Sequence, residues 1–140
     1  MTSLGSEFAV LMLVSGNWHT LNRLERGLEK LTVDDTLTFA IRKTGERPPS
    51  NDRMHYAVDI ISLDQQGILF GLANFFASRD IEIADVATRR YSAAHTGAPM
   101  FAVQMAVNVP SSVHISVLRE EFLEMSDRLN LDAILEPVKN

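Results

Sequence analysis

The stretch Leu63-Asp64-Gln65-Gln66-Gly67-Ile68-Leu69 joins an apolar segment to a polar turn and then to a second apolar segment. Tyr56 to Leu63 predicts a strand, and Ile68 to Ser78 predicts a helix with one apolar face. Gly67 permits backbone angles that a side chain forbids, so the chain can turn sharply there. A strand, a turn and a helix in this order leave backbone N–H groups open at the helix start, where the helix dipole favours a negative group. Because an Asp-x-x-Gly spacing alone is a weak signal, the turn predicts either a small-molecule site or a purely structural connection.

The segments after this turn continue the alternation of strands and helices. Strands are predicted at Ile81–Tyr91, Phe101–Val109 and Ala133–Val138, and a helix is predicted to begin after Pro110-Ser111-Ser112. Alternation along the first of these strands predicts that one of its faces carries Ile81, Ile83, Asp85 and Ala87. The order β-α-β-β-α-β predicts an α+β, ferredoxin-like unit, in which one antiparallel sheet carries both helices on one face.

The part of the chain before this unit has the pattern of half of the same arrangement. Phe8–Val14 is an apolar run that predicts a buried strand, Trp18 to Leu31 has the leucine spacing of an amphipathic helix, and Thr36–Arg42 alternates like a half-buried strand. This β-α-β half-repeat matches only the second half of the unit. Because unpaired strand edges invite another chain, we expect Phe8–Val14 or Thr36–Arg42 to be completed by a second subunit or by the other domain, giving a dimer. The alternative is a half-unit that closes into a parallel pair by itself.

A polar segment rich in proline separates the two parts of the chain. Lys43 to Asp52 contains two prolines, a glycine and several charges, with no apolar residue. The sequence therefore predicts a partial domain at 1–44, a linker at 45–54 and a complete domain at 55–140. The partial domain lacks its front half. We expect either that the chain is truncated there or that this protein is a shortened form.

Composition restricts the classes of function. The chain has 140 residues, of which 46% are hydrophobic, as is usual for a packed globular protein. Its net charge of -5 argues against direct binding to nucleic acid, which requires a basic face. The absence of cysteine excludes disulfides and thiolate chemistry, and Phe8–Val14 is too short to span a bilayer. We therefore expect a soluble, cytoplasmic protein that contacts neither nucleic acid nor a membrane directly.

Signatures of catalysis are missing from the sequence. There is no P-loop and no Gly-x-Ser-x-Gly elbow, and no metal-ligand spacing relates the four histidines, His19, His55, His95 and His114. We predict a protein that is not an enzyme, with no catalytic residues, no metal and no cofactor.

Asp59 and Asp85 are expected to face solvent on the open side of the sheet. The pair Arg89-Arg90 is interpreted either as a bidentate clamp for a ligand carboxylate or as a solvated strand end.

The turn Asp64–Leu69 and the strand opening Ile81-Glu82-Ile83-Ala84-Asp85 resemble those of an ACT domain, a small amino-acid-binding regulatory module. The resemblance covers nearly the whole chain, from Leu4 to Val138, as two ACT domains in tandem with the first one incomplete. It implies an amino-acid site, with glycine as the implied ligand, beside the turn, the start of the second strand and a dimer partner. The implied ligand-binding residues are Asp64, Gln66, Gly67, Ile68, Leu69, Glu82 and Ile83.

Two positions depart from the family pattern. Gln66 replaces a proline that is common before the glycine, and Glu82 replaces a common asparagine. A carboxylate at Glu82 repels a ligand carboxylate and attracts an amine.

The resemblance also implies that the chain regulates transcription indirectly, through a DNA-binding partner protein. Two other functions stay open, which are a structural interaction or dimerisation module with no ligand site and a regulatory subunit of a metabolic enzyme.

Overall fold

The computed structural model describes residues 1–31, 37–45 and 52–138. The chain divides into two compact units, Met1–Arg47 and Pro48–Asn140. The described residues form six strands and three helices, which are β1 (Thr2–Leu4), β2 (Glu7–Ala9), α1 (Trp18–Leu31), β3 (Arg53–Leu63), α2 (Ile68–Ala77), β4 (Glu82–Ser92), β5 (Pro99–Pro110), α3 (Ile115–Arg128) and β6 (Asp132–Pro137). No helix among these residues is both long and apolar enough to cross a membrane.

The second unit is a four-stranded antiparallel sheet with the strand order β4-β5-β3-β6. Its element order, β-α-β-β-α-β, confirms the predicted α+β, ferredoxin-like fold. Strand β3 begins at Arg53, earlier than the predicted Tyr56, because Arg53 and Met54 still pair with Pro110 and Val109 of β5. The predicted linker at 45–54 therefore overlaps the start of β3, and its residues 46–51 lie outside the described part of the chain.

The core of this unit fills the space between one face of the sheet and the two helices. Alternate residues of β3 and β5 are buried, as the period-2 pattern predicts, and Leu72 and Phe76 of α2 are fully buried. The rings of Phe75 and Phe76 lie 5.7 and 5.9 Å from the ring of Phe122 in α3, measured between centroids. These contacts join the helices to each other above the sheet, since large aromatic rings bury the most apolar area per residue.

Strand β4 contains a bulge that the sequence did not predict. Ile83 lies opposite Val107 and Asp85 lies opposite Ala106, so Ala84 is an extra residue in the ladder. Because of this insertion, Asp85 and the residues at alternate positions after it point to the open face of the sheet. The predicted shared face of Ile81, Ile83, Asp85 and Ala87 is therefore wrong beyond Ile83.

The first unit differs from its prediction. β1 and β2 form a short antiparallel hairpin around Gly5, which has a φ of 63°. The strand predicted at Phe8–Val14 is wrong beyond Ala9, because only residues 7–9 meet a partner strand. Of the strand predicted at Thr36–Arg42, Thr36 lies outside the described residues, and 37–45 form neither helix nor strand.

Helix α1 forms where the leucine spacing predicts it. Asn17 caps the helix, since its Oδ1 accepts a hydrogen bond of 2.9 Å from the Thr20 backbone N–H. None of its residues is buried, and Trp18 is 67% exposed. No side chain among residues 1–31 and 37–45 is buried, so within these described residues the apolar side of α1 packs against no core.

The core supports a direct test of helix packing. We expect Phe122→Ala to lower the free energy of unfolding by about 3–5 kcal/mol, because it removes a fully buried ring and leaves a cavity. The adjacent Leu123 is 53% exposed, so Leu123→Ala serves as a control with a much smaller loss. Urea denaturation followed by circular dichroism measures both, and equal losses would contradict this description of the core.

Candidate functional site

The turn between β3 and α2 depends on a glycine in a left-handed conformation. Gly67 has φ 88° and ψ -3° and stands at the N-cap position of α2. A Cβ placed there would meet no atom within 4 Å, so backbone strain rather than a steric clash favours glycine. Gly67 supplies no side-chain cap, and the first turn of α2 has no acidic residue. The positive end of the helix dipole is therefore not offset by a carboxylate within the first turn of α2 itself.

Three contacts hold this turn in place. The backbone N–H of Asp64 donates to the Pro99 carbonyl oxygen at 2.9 Å, which ties the turn to β5. The Gln65 Nε2 donates to the Leu129 carbonyl oxygen at 2.6 Å, at the end of α3. The Asp64 Oδ2 lies 3.1 Å from Arg90 Nε of β4. Two strands and a helix end thus fix the backbone that leads into α2.

The predicted ligand-binding residues of the turn differ in what they can offer. Gln66, Gly67 and Leu69 are exposed. The Ile68 side chain belongs to the core, so only its backbone can face a ligand. The turn can therefore bind a small anion through backbone amides, and its side chains contribute little polar chemistry beyond that of Asp64 and Gln66.

Glu82 and Ile83 lie at the other end of the sheet. Strands β3 and β4 run in the same direction, because each pairs antiparallel with β5. Glu82 is level with His55 near the start of β3, whereas the turn follows Leu63 at its end. Eight residues of extended strand separate the two levels by roughly 26 Å. One chain alone therefore does not bring the predicted residues into a single site.

The Glu82 carboxylate is held by a line of hydrogen bonds across three strands. The Asn108 Nδ2 of β5 donates to Glu82 Oε2 at 3.0 Å, and the Asn108 Oδ1 lies 2.6 Å from the His55 Nδ1 of β3. Since the amide oxygen can only accept, the His55 Nδ1 carries the hydrogen. Arg53 Nη1 lies 4.0 Å from Glu82 Oε2. These contacts fix an ordered carboxylate at the start of an edge strand.

The two adjacent arginines of β4 point in opposite directions. Arg90 lies opposite Phe101, on the helix side of the sheet, where it reaches Asp64. Arg89 lies opposite Ala102 on the open face, and its guanidinium is 5.9 Å from the Tyr91 ring. The two side chains therefore cannot act together on one carboxylate, and of the pair Arg90 lies beside the turn. The Asp64–Arg90 contact had no signal in the sequence beyond the presence of two opposite charges.

The other predicted polar residues lie where solvent reaches them. Asp59 accepts a hydrogen bond of 3.1 Å from Gln104 Nε2 on the open face, and Asp85 is exposed on the same face, as expected. No group of three or more potential metal ligands comes together within residues 1–31, 37–45 and 52–138.

A shallow depression of about 540 Å³ lies at the opposite end of α2 from the turn. Its lining is formed by Ser78, Arg79, Val113, His114, Val117, Leu118 and Glu121. Arg79 bonds Glu121 Oε2 at 2.7 Å through both Nε and Nη2, and its Nη1 donates to the Phe75 carbonyl oxygen at 2.9 Å. Through these bonds Arg79 joins α2 to α3 at the edge of the depression.

No protein-family model matches the chain. The chain is 22% identical over 138 residues to the glycine cleavage system transcriptional repressor of Escherichia coli strain K12, and the match covers 99% of this chain and 73% of that protein.

Similar folds occur among solved structures. A protein assigned as a glycine cleavage system transcriptional repressor has a TM-score of 0.66 at 22% identity, over 89% of this chain and 70% of that chain. An unknown protein from Galdieria sulphuraria has a TM-score of 0.59 at 19% identity, over 67% of this chain and 55% of that chain. An ACT domain protein from Streptococcus pneumoniae has a TM-score of 0.50 at 19% identity, over 60% of this chain and 89% of that chain. These similarities confirm the predicted fold and the predicted resemblance to ACT domain proteins.

The conformation of Gly67 generates a stability prediction. We expect Gly67→Val to cost about 1–2 kcal/mol of unfolding free energy, because a β-branched residue is strained at positive φ. Gly67→Asn is the matched variant and should cost less, since asparagine visits the left-handed region more readily. Urea denaturation of both variants measures the difference. Equal costs would show that φ strain does not determine the residue at this position.

Proposed function

We propose that this chain is a non-enzymatic, amino-acid-binding regulatory protein of the ACT type, which acts in the cytoplasm and controls transcription indirectly through a protein partner. The observation that carries the proposal is the uncapped start of α2 behind Gly67, in a turn that β4, β5 and α3 hold in place. The similarity to a transcriptional repressor supports the regulatory role. The net charge of -5 favours a protein partner over direct contact with DNA.

The ligand class follows from the chemistry of the turn. The first backbone N–H groups of a helix have no acceptor within the helix, so those of Ile68 and Leu69 can donate to a carboxylate. A small ligand suits this position because the turn is an open surface rather than a deep cavity. Glycine is the first candidate, since the similar repressor carries the glycine cleavage system in its name.

A second copy of the chain would complete this site. Glu82 and Ile83 lie roughly 26 Å along the strands from the turn in the same chain. Strand β4 is at the edge of the sheet, and within the described residues it pairs only with β5. If the β4 strands of two copies pair antiparallel, the Glu82 end of one strand meets the end of the other strand that carries Arg90. The turn of one copy and Glu82 of the other then lie at the same end of the paired strands, with Glu82 on the open face and Arg90 on the helix side.

Charge complementarity along β4 selects the register of this pairing. A two-fold axis places residues symmetrically about its centre, and opposite residues of an antiparallel ladder share a face. Asp85 and Arg89 both point to the open face. An axis at Ala87 therefore sets Asp85 of each copy opposite the partner's Arg89 and forms two ion pairs. An axis at Arg89 would instead set two arginines against each other.

Ligand binding is tested by a thermal-shift screen of the whole chain against the twenty amino acids. A ligand at 100 times its dissociation constant adds about 2.7 kcal/mol of stability, and each kcal/mol raises the Tm by about 2–4 °C. We therefore expect a rise of several degrees with glycine or another small amino acid. In Gly67→Val the shift should disappear, because the strained turn no longer presents its amides. No shift with any amino acid in a folded wild-type sample would contradict the proposal.

Dimer formation is tested by charge reversal in β4. Asp85→Arg places like charges opposite each other twice in the dimer, so we expect its dissociation constant to rise about tenfold or more. The double variant Asp85→Arg with Arg89→Asp restores opposite charges and should recover most of the affinity. Sedimentation velocity at micromolar concentration measures all three chains. A wild-type chain that stays monomeric, or a double variant as weak as the single one, would contradict this interface.

The second candidate function is an interaction module without a ligand site. The apolar face of α1 favours it, because Trp18, Leu21 and Leu24 are exposed in the first unit and offer a surface for another protein. The same thermal-shift screen separates the two candidates, since an interaction module gives no response to any amino acid while remaining folded.

A further inference from the structure

Arg90 is placed at the turn by the topology of the sheet. It lies on the helix side of β4, and its Nε is 3.1 Å from the Oδ2 of Asp64, the residue that begins the turn. Its side chain is 75% exposed, whereas that of Asp64 is 23% exposed. The Nη groups of Arg90 form no hydrogen bond or ion pair with any other residue in the described part of the chain. A cation with unused donors therefore stands beside the turn.

The chemistry of a guanidinium group matches that of a carboxylate. Arginine presents its N–H groups in a planar fork, and two parallel N–H groups can donate to the two oxygens of one carboxylate. Without Arg90, the nearest charge on the turn would be the Asp64 carboxylate, which repels an anion. An ion pair as exposed as the one between Asp64 and Arg90 adds little to the stability of the fold. Stability therefore does not explain why this ion pair is present.

We propose that Arg90 is the residue that selects a carboxylate-bearing ligand, by binding that carboxylate through its Nη groups. Asp64 is the positioning residue, because its carboxylate forms an ion pair with Nε and keeps the guanidinium beside the turn. This inference rests on the proposed amino-acid-binding function and adds to it a specificity-determining side chain outside the turn itself. Ligand specificity at this position thus comes from β4, the strand that also forms the proposed dimer.

The test compares glycine with glycinamide, which lacks the carboxylate, by isothermal titration calorimetry on the whole chain. The wild type should bind glycine at least tenfold more tightly than glycinamide. In Arg90→Gln, glycine affinity should fall at least tenfold, and the discrimination between the two compounds should disappear. Arg119→Gln makes the same change at an exposed position of α3 that has no hydrogen bond or ion pair to another described residue. It should bind glycine within twofold of the wild type.

A double variant separates ligand contact from charge neutralisation. If Arg90 binds the carboxylate, Asp64→Asn with Arg90→Gln stays as weak as Arg90→Gln alone. Recovery of glycine affinity in the double variant would overturn the inference, since Arg90 would then only cancel the charge of Asp64. Unchanged affinity and discrimination in Arg90→Gln would overturn it as well, while leaving the proposed function intact. A wild-type chain that binds neither compound would contradict a glycine-binding function and remove the basis of this inference.

Discussion

The antiparallel ladder between β3 and β5 determines the arrangement of the second unit. It pairs Arg53–Leu63 with Met100–Pro110 without interruption, so every side chain on these two central strands is assigned to one face. A shift of β3 by one residue would move Val58 and Ile60 from the core to solvent. The same ladder sets the levels of both edge strands. It therefore places the Gly67 turn at one end of the sheet and Glu82 at the other.

Local patterns in the sequence were sufficient for the fold of the second unit. The alternation in Phe101–Val109 predicts a strand, and the glycine after Gln66 predicts a sharp turn into a helix. Both predictions are confirmed. The bulge at Ala84 was missed because alanine suits either face of a sheet, so the alternation continues through it undisturbed. Phe8–Val14 was misassigned because an apolar run shows that a segment prefers burial but does not show which strand pairs with it.

The candidate site was only partly predictable for a related reason. Gly67 and its neighbours are contiguous, so the sequence alone places them together. Arg90 meets Asp64 only because β4 returns beside β5 with a particular register, and two separated charges carry no sign of that. Glu82 was grouped with the turn by resemblance, whereas the strand directions separate them within one chain. Contacts that depend on register need the fold before they can be assigned.

A ligand site at the edge of β4 would couple binding to assembly. A ligand shifts an equilibrium only as far as its affinities for the two states differ. If the turn of one copy and Glu82 of the other both contact the amino acid, the dimer binds it more tightly than the monomer does, and by linkage the amino acid strengthens the dimer by the same factor. The bulge at Ala84 sets the face on which these charges lie, because it turns Asp85 and Arg89 together to the open face of the sheet. A single inserted residue thus determines which face of the edge strand carries the charge pattern that a second copy can recognise.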